Sequence, residues 1–142
     1  LGDVYKRQRF GVVTVQELVS VPAAKLLVRC PAMTSAEMFE LVAPVVDPDE
    51  AHVTYSMDEG LLEFSQPGVN KATGVSVLAA QYGVAPEEIV AFGDMPNDLE
   101  MLAWVGMGVA MANASPVLLD AADHVTVSND EDGVTAVLEH WF

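Results

Sequence analysis

The sequence contains little cysteine and few basic residues. Its 142 residues include one cysteine, Cys30, so no disulfide can form within the chain, and this favours a reducing compartment such as the cytoplasm. Six residues are Lys or Arg against 21 that are Asp or Glu, which gives a formal net charge of −15. This balance excludes a basic surface for nucleic acid, and no nucleic-acid partner is expected.

Unbroken hydrophobic segments are also scarce. The basic residues near the N-terminus are not followed by a continuous apolar run, so no signal peptide is predicted. One charge-free stretch, from Met101 to Leu119, is interrupted by Gly106, Gly108 and Pro116. These breaks predict a helix end, a strand and a new helix in a buried core instead of a membrane span, and no membrane partner is expected.

The chain divides into three predicted parts. Residues 1–8 follow no periodic pattern and hold two of the six basic residues, which is typical of a translated cloning leader that is not native. Residues 9–66 predict a small α+β unit with antiparallel strand pairing. Residues 67–142 predict a parallel sheet covered by helices, because helix and strand patterns alternate there with short connections.

The α+β unit is predicted from capping and hairpin signals. Thr34 and Glu37 form a capping-box pattern at the start of a helix that should run to about Val46, with Pro44 kinking or ending it early. The predicted strands cover residues 25–29, 52–56 and 61–65, and the last two form a hairpin.

The second unit begins with a well-delimited helix. Asn70 is a good N-cap and Gly83 a good C-terminal stop for a helix over residues 71–82. The remaining predicted elements are a helical turn at 86–88, strands at 89–92, 108–111 and 124–127, and helices at 96–104, 116–122 and 132–140.

The most informative segment follows the strand predicted at 89–92. Here the residues Gly93-Asp94-Met95-Pro96-Asn97-Asp98 open the next helix, at the edge where open α/β sheets bind ligands. Two carboxylates and an amide are hard oxygen donors that suit Mg²⁺. Each of the three residues also fits an ordinary structural role at a helix start, and it is their clustering that favours a metal and phosphate site.

One basic residue stands alone in the acidic part of the chain. From Cys30 to the C-terminus, Lys71 is the only Lys or Arg. Because a helix N-terminus disfavours a free ammonium group, its position at the start of the helix predicted at 71–82 calls for an anionic partner. We expect it to contact phosphate and the neighbouring carboxylates, and a solvated surface lysine is the alternative.

Together, four segments resemble the haloacid dehalogenase (HAD) superfamily, and within it the Cof-type phosphatases. They are Gly68-Val69-Asn70-Lys71, then Phe92-Gly93-Asp94-Met95-Pro96-Asn97-Asp98, then the runs at 108–114 and 128–134. The resemblance covers about residues 61–142. It implies an α/β fold whose C-terminal part (67–142) is a HAD-like Rossmannoid parallel sheet, preceded by part of a small α+β cap domain (9–66).

The same resemblance implies an activity and its residues. A HAD phosphatase hydrolyses small phosphorylated metabolites, of phosphosugar or nucleotide type, through an aspartyl-phosphate intermediate and with Mg²⁺. By resemblance Lys71, Asp94 and Asp98 are catalytic, and Lys71 and Asn97 contact the substrate phosphate. Asp94 and Asp98 form the metal site, with Asp98 orienting the metal shell.

One motif of the superfamily has no counterpart where it is expected in this sequence. The superfamily's N-terminal Asp-x-Asp-x-(Thr/Val) motif, which carries the nucleophile, is absent from the first part of the chain. An imitation there, Asp47-Pro-Asp49, lies in a predicted loop and lacks the Thr or Val. We therefore expect the chain to be the C-terminal portion of a longer phosphatase and to be inactive alone.

Two other functions fit parts of the pattern. The chain could be an inactive truncated module that binds phosphate and Mg²⁺. The catalytic end of a P-type ion pump shares the Gly-Asp-x-x-Asn-Asp run, but it would need membrane spans. The sequence leaves the oligomeric state open.

Overall fold

A computed structural model of the protein describes residues 11–141, and the predicted leader at 1–8 lies outside the described residues. Six strands form two three-stranded sheets: β1 Leu26–Arg29, β2 His52–Thr54, β3 Leu61–Ser65, β4 Val90–Gly93, β5 Met107–Ala110 and β6 His124–Val125. The helices are α1 Val15–Leu18, α2 Ser35–Val42, α3 Lys71–Tyr82, α4 Leu99–Trp104, α5 Pro116–Ala121 and α6 Gly133–Leu138. Short 3-10 turns cover Ala43–Val45, Pro86–Glu88, Pro96–Asp98 and Asn129–Glu131.

The first sheet is antiparallel, in the order β1-β3-β2. Phe64 of β3 lies opposite Leu26 on one side and Val53 on the other, so β3 is the central strand. Leu62 of β3 is completely buried, whereas every residue of β1 is exposed. The predicted hairpin is confirmed.

The second sheet is parallel, in the order β4-β5-β6. This confirms the α/β prediction for the C-terminal unit. Val109 at the centre of β5 is fully buried, as a strand covered on both faces should be. Helices α4 and α5 pack on the sheet around an apolar core formed by Ala91, Leu102, Val105, Ala110, Ala114 and Leu118.

Helix α3 has the bounds that its capping residues predict. The Asn70 side chain accepts a hydrogen bond from the Thr73 N–H at 3.0 Å, and Gly83 ends the helix with a left-handed φ of 67°. Thr34 and Glu37 likewise form the predicted capping box of α2.

Elsewhere the predicted bounds were too generous. Helix α2 ends at Val42, short of Val46, and continues only as a 3-10 turn; this is the early end predicted from Pro44, which cannot donate the next helical hydrogen bond. Strand β6 has two residues, and α6 stops at Leu138. Helix α1 was not predicted, although Thr14 and Glu17 form a capping box there.

The charge-free stretch from Met101 to Leu119 folds as expected, into the end of α4, all of β5 and the start of α5. In the part of the chain that the structure describes, no helix is both long enough and apolar enough to cross a membrane.

Candidate functional site

An ion pair joins the start of α3 to the turn that follows β4. The Lys71 ammonium group donates to Asp98 Oδ1 and lies 3.5 Å from Asn97 Oδ1. The Asp98 side chain is only 5% exposed, whereas the Lys71 side chain is 46% exposed. The buried carboxylate therefore anchors a lysine whose side chain still reaches solvent, where an anionic ligand can approach it.

Asp98 also shapes the loop in front of it. Its second carboxylate oxygen accepts the backbone N–H groups of Asp94 and Met95, at 3.1 and 3.2 Å. Both oxygens of Asp98 are thus engaged by donors from the protein. Charge-assisted hydrogen bonds of this kind are strong, and they hold the backbone at Asp94 in one arrangement.

This tight loop requires a glycine at position 93. A Cβ atom on Gly93 would lie 2.5 Å from Asp98 Cβ and 3.0 Å from Leu102 Cδ1, far inside van der Waals contact. Gly93 therefore allows the Asp98 side chain to fold back against the end of β4.

Asp94 stands at the carboxyl end of β4, where the fold places ligand-binding residues. Its carbonyl oxygen accepts the Ser115 N–H at 2.8 Å, which ties it to the start of α5. Its carboxylate is half-buried and accepts no hydrogen bond from any residue in the described range 11–141. Asp94 is accordingly the carboxylate at this edge whose oxygens stay available to a cation.

The donor set suits part of a magnesium shell. Mg²⁺ is commonly held by one or two protein carboxylates, with water and substrate phosphate completing the octahedron. Asp94 fits such a ligand, while Asp98 has no oxygen without a protein donor. Between residues 11 and 141, no three His, Cys, Asp or Glu side chains come together as a complete metal site.

A small cavity of about 240 Å³ opens beside this ion pair. It lies between the antiparallel sheet and the start of α3, and eight of its ten lining residues are of polar or charged types. The lining residues are Ala24, Lys25, His52, Thr54, Glu63, Ser65, Val69, Asn70, Lys71 and Asn97. A larger groove of about 630 Å³ beside β6 and α6 includes none of the predicted site residues.

The far side of the cavity contains a second lysine–carboxylate pair. Lys25 and Ser56 both donate to Glu63, whose side chain is 9% exposed, while the Lys25 side chain is 51% exposed. Burial alone would raise the pKa of Glu63, but hydrogen bonds from Lys25 and Ser56 and the charges of Lys25 and Lys71 outweigh it and lower the pKa. Glu63 is therefore a stable anion between the two lysines.

The sequence analysis missed this second pair. Its one signal is an acidic residue within the apolar run Leu61-Leu62-Glu63-Phe64, since a strand seldom buries a charge without a partner. The sequence analysis predicted that Lys71, Asp94, Asn97 and Asp98 lie at one edge of the sheet, and the structure places all four there.

A contact between the antiparallel sheet and helix α4 adjoins the same cavity. His52 of β2 lies 3.5 Å from Glu100 of α4, and the other carboxylate oxygen of Glu100 is buried without a hydrogen-bond partner in the described structure. The imidazole can thus link the antiparallel sheet to the helix that follows Asp98.

Comparison with known proteins identifies relatives. The family model for haloacid dehalogenase-like hydrolases matches residues 6–138. The 5-amino-6-(5-phospho-D-ribitylamino)uracil phosphatase YitU of Bacillus subtilis is 40% identical over 100 residues, which cover 70% of this chain and 36% of that protein. The phosphoglycolate phosphatase of Methanoculleus marisnigri is 36% identical over 107 residues, covering 68% and 45%.

Solved structures agree with these relatives. A sugar phosphatase of HAD subclass IIB superposes with a TM-score of 0.75 at 26% identity, over 91% of this chain and 47% of that one. This chain therefore spans between about a third and a half of the length of the proteins that it matches.

Proposed function

The chain belongs to the haloacid dehalogenase-like hydrolase family, and from this we propose that it supplies the phosphate-binding side of a phosphatase for small phosphorylated metabolites. The observation that supports this most directly is the convergence of Lys71, Asn97 and Asp98 beside the unengaged carboxylate of Asp94. Lys71 and Asn97 line the cavity, and Asp98, which bonds Lys71, also holds the backbone of Asp94 at the same sheet edge.

In this proposal each residue acts through the contacts that it makes. The Lys71 ammonium group binds substrate phosphate as a point charge, and the Asn97 side chain adds a polar contact next to it. Asp98 is a positioning residue: it holds Lys71 and, through two backbone N–H groups, the loop that presents Asp94. Its occupied oxygens favour this role over direct metal ligation.

The cofactor that we propose is Mg²⁺, with Asp94 as its ligand from this chain. When bound, the ion neutralises charge that develops on the transferring phosphoryl oxygens. Asp94 keeps its carboxylate free and half-buried for that purpose, since the loop is fixed by Asp98 and Ser115 instead.

For the substrate we propose a phosphosugar or similar phosphorylated polyol in preference to a nucleotide. The cavity is smaller than the roughly 300–1,000 Å³ typical of sites for drug-sized ligands. Its lining contains no Phe, Tyr or Trp on which a base could stack. The relatives named above include phosphatases of a phosphoribitylaminouracil, in which the phosphate is on a polyol chain attached to a pyrimidine, and of a sugar. Both names are in keeping with a hydroxylated group next to the phosphate.

We also propose separate roles for the two parts of the chain. Residues 9–66 would serve as part of a cap that contacts the organic part of the substrate, and residues 67–142 as part of the core that binds phosphate. The aspartyl-phosphate intermediate needs a nucleophilic aspartate. The one run of this sequence that fits Asp-x-Asp-x-(Thr/Val), Asp130 to Val134, lies in the turn before α6 and not at the end of a strand, so we do not assign the nucleophile to it. The inactivity of the 142-residue chain alone stays a prediction.

Calorimetric titration of the 142-residue chain with inorganic phosphate, with and without Mg²⁺, tests the site. We expect Lys71→Met to weaken phosphate binding about tenfold or more, because it removes the charged donor. Asp94→Asn should abolish the gain in affinity that Mg²⁺ provides. It should not weaken Mg²⁺-free phosphate binding, because it removes a negative charge near the anion.

Asp120→Asn on α5 is the matched control, since it removes the same charge from an exposed position. It should alter neither titration. Phosphate binding that is undetectable, or that survives Lys71→Met undiminished in a variant with native circular dichroism, would overturn the proposed function.

A further inference from the structure

We propose that Lys25, held in place by Glu63, is a specificity-determining residue that binds a hydroxyl oxygen on the organic part of the ligand. This rests on the proposed function, in which the ligand's phosphate lies at Lys71, and it assigns the opposite end of the same cavity.

The distribution of positive charge points to this cavity. Between residues 11 and 141 the chain has three Lys or Arg residues, Lys25, Arg29 and Lys71, and both lysines line the same space of about 240 Å³. Lys25 directly precedes β1 and Lys71 begins α3, and they are 46 positions apart in a chain whose net charge is −15. Convergence of scarce cations on one small cavity is typical of a binding site for a ligand with oxygen acceptors.

Glu63 prepares Lys25 for this role. Its carboxylate accepts from Lys25 on one oxygen and from Ser56 on the other, so the acid is buried and fully engaged. An ammonium group has three hydrogens, and the half-exposed Lys25 keeps donors for a ligand after bonding Glu63. Because Glu63 already restricts the long side chain, binding loses less conformational entropy than it would with a free lysine.

The chemistry of this end favours a hydroxyl group over a second anion. The charge of Lys25 is balanced by Glu63, so little net positive charge faces the ligand. The hydroxyls of Thr54 and Ser65 line the same cavity, and Ser65 donates its hydrogen to the Val69 carbonyl at 2.8 Å. Its oxygen can therefore accept, and donors beside acceptors match a ligand hydroxyl, which is both.

Two probes that differ only in hydroxyl groups test the assignment. Glycerol phosphate and n-propyl phosphate share a three-carbon chain and a phosphate, and inorganic phosphate serves as the reference. With the full 142-residue chain, we expect glycerol phosphate to bind about tenfold tighter than propyl phosphate, the value of about one hydrogen bond to a charged donor.

Variants then show which residue causes the ratio between the dissociation constants of propyl phosphate and glycerol phosphate. Lys25→Met should reduce the ratio of the two dissociation constants to about one. Lys71→Met should instead weaken all three probes. Arg29→Met is the matched control, because Arg29 is an exposed cation of β1 that lines a different depression, and it should keep the ratio.

The double variant Lys25→Met/Glu63→Gln guards against misfolding, since Lys25→Met alone leaves a buried carboxylate without its partner. The double variant should also lose the preference for glycerol phosphate over propyl phosphate, and it should bind inorganic phosphate with unchanged affinity. The role of Lys25 is overturned if the unmodified chain binds glycerol phosphate and propyl phosphate equally, or if the double variant still prefers glycerol phosphate. In either case, binding of inorganic phosphate would still uphold the proposed function.

The remaining alternative is that Lys25 binds a second anionic group of the ligand. Phosphoglycolate, which carries a carboxylate in place of hydroxyls, tests it. If it alone gains affinity through Lys25, the hydroxyl assignment is overturned in favour of an anionic group. If none of the probes binds, inorganic phosphate included, the proposed function fails and this inference fails with it.

Discussion

At the scale of single residues, the geometry of the site depends on close packing between Gly93 and Asp98. Asp98 can accept Lys71 and two backbone N–H groups only because its own Cβ packs where a side chain of residue 93 would be. A buried carboxylate with three donors is stabilising only while all of them remain in place. The site is therefore sensitive to a change of one methyl group.

We predict that Gly93→Ala lowers the free energy of unfolding by about 2 kcal/mol, because the added Cβ forces Asp98 and Leu102 apart. The same variant should weaken phosphate binding, since Lys71 loses its anchor. Gly74→Ala is the comparison: no atom lies within 4 Å of its added Cβ, and this helical glycine should gain about 0.5 kcal/mol. Urea denaturation measures both, and equal effects at the two glycines would contradict the packing argument.

The residues of the site differ in how far the sequence could predict them. Lys71 is conspicuous because it is the one basic residue after Cys30, and Asp94, Asn97 and Asp98 share a short segment after a strand. Lys25 and Glu63 are 38 positions apart. Their pairing depends on the register of β1 with β3, which opposes Leu26 to Phe64, and sequence patterns do not specify that register.

At the scale of secondary-structure elements, the cap of α3 connects stability to the site. Asn70 satisfies the Thr73 N–H, Thr73 bonds back to Asn70, and Lys71 is the first residue of the helix. The conformation of the cap therefore sets where the Lys71 side chain leaves the backbone.

We expect Asn70→Ala to cost about 1 kcal/mol of unfolding free energy and, in addition, to weaken phosphate binding by displacing Lys71. Thr34→Ala removes an equivalent cap from α2, distant in sequence from Lys71 and absent from the cavity lining, and should cost a similar amount of stability only. Chemical denaturation and phosphate titration of both variants test this. Weakened phosphate binding in Thr34→Ala would show that general destabilisation, not the position of α3, is responsible.

Elements with local stop signals were predicted well, and those without them were not. Helix α3 matches its predicted bounds because Asn70 and Gly83 act on neighbouring backbone groups. Strand β6 is shorter than its apolar pattern suggests, since it pairs with β5 only through Val109 opposite His124 and Ala110 opposite Val125. A strand's length depends on its neighbour, and the sequence of the strand alone does not contain that information.

At the scale of the whole molecule, repulsion among the acidic residues opposes folding into a compact state. A net charge of −15 on 142 residues makes the folded chain repel itself, and the two lysines of the described range are already paired with carboxylates. Any anionic ligand must approach against this field, so a cation at Asp94 would reduce the repulsion at the site.

Added salt should therefore stabilise the protein. We predict that raising NaCl from about 0.01 M to about 0.1 M, which shortens the Debye length to roughly 10 Å, increases the melting temperature by about 3 °C. Scanning calorimetry at constant pH measures this, with choline chloride to separate screening from Na⁺ binding. A melting temperature that falls with either salt would contradict dominance by repulsion.

The sequence by itself determined the parallel α/β unit, the capped helix α3 and the segment that carries Asp94, Asn97 and Asp98. These follow from hydrophobic periodicity and capping chemistry, which act between residues close in the chain. Only the tertiary structure decided that both oxygens of Asp98 accept hydrogen bonds while the Asp94 carboxylate accepts none from residues 11–141, and that Lys25 and Glu63 line one cavity with Lys71. Those relations join distant residues, and packing and strand register between elements create them.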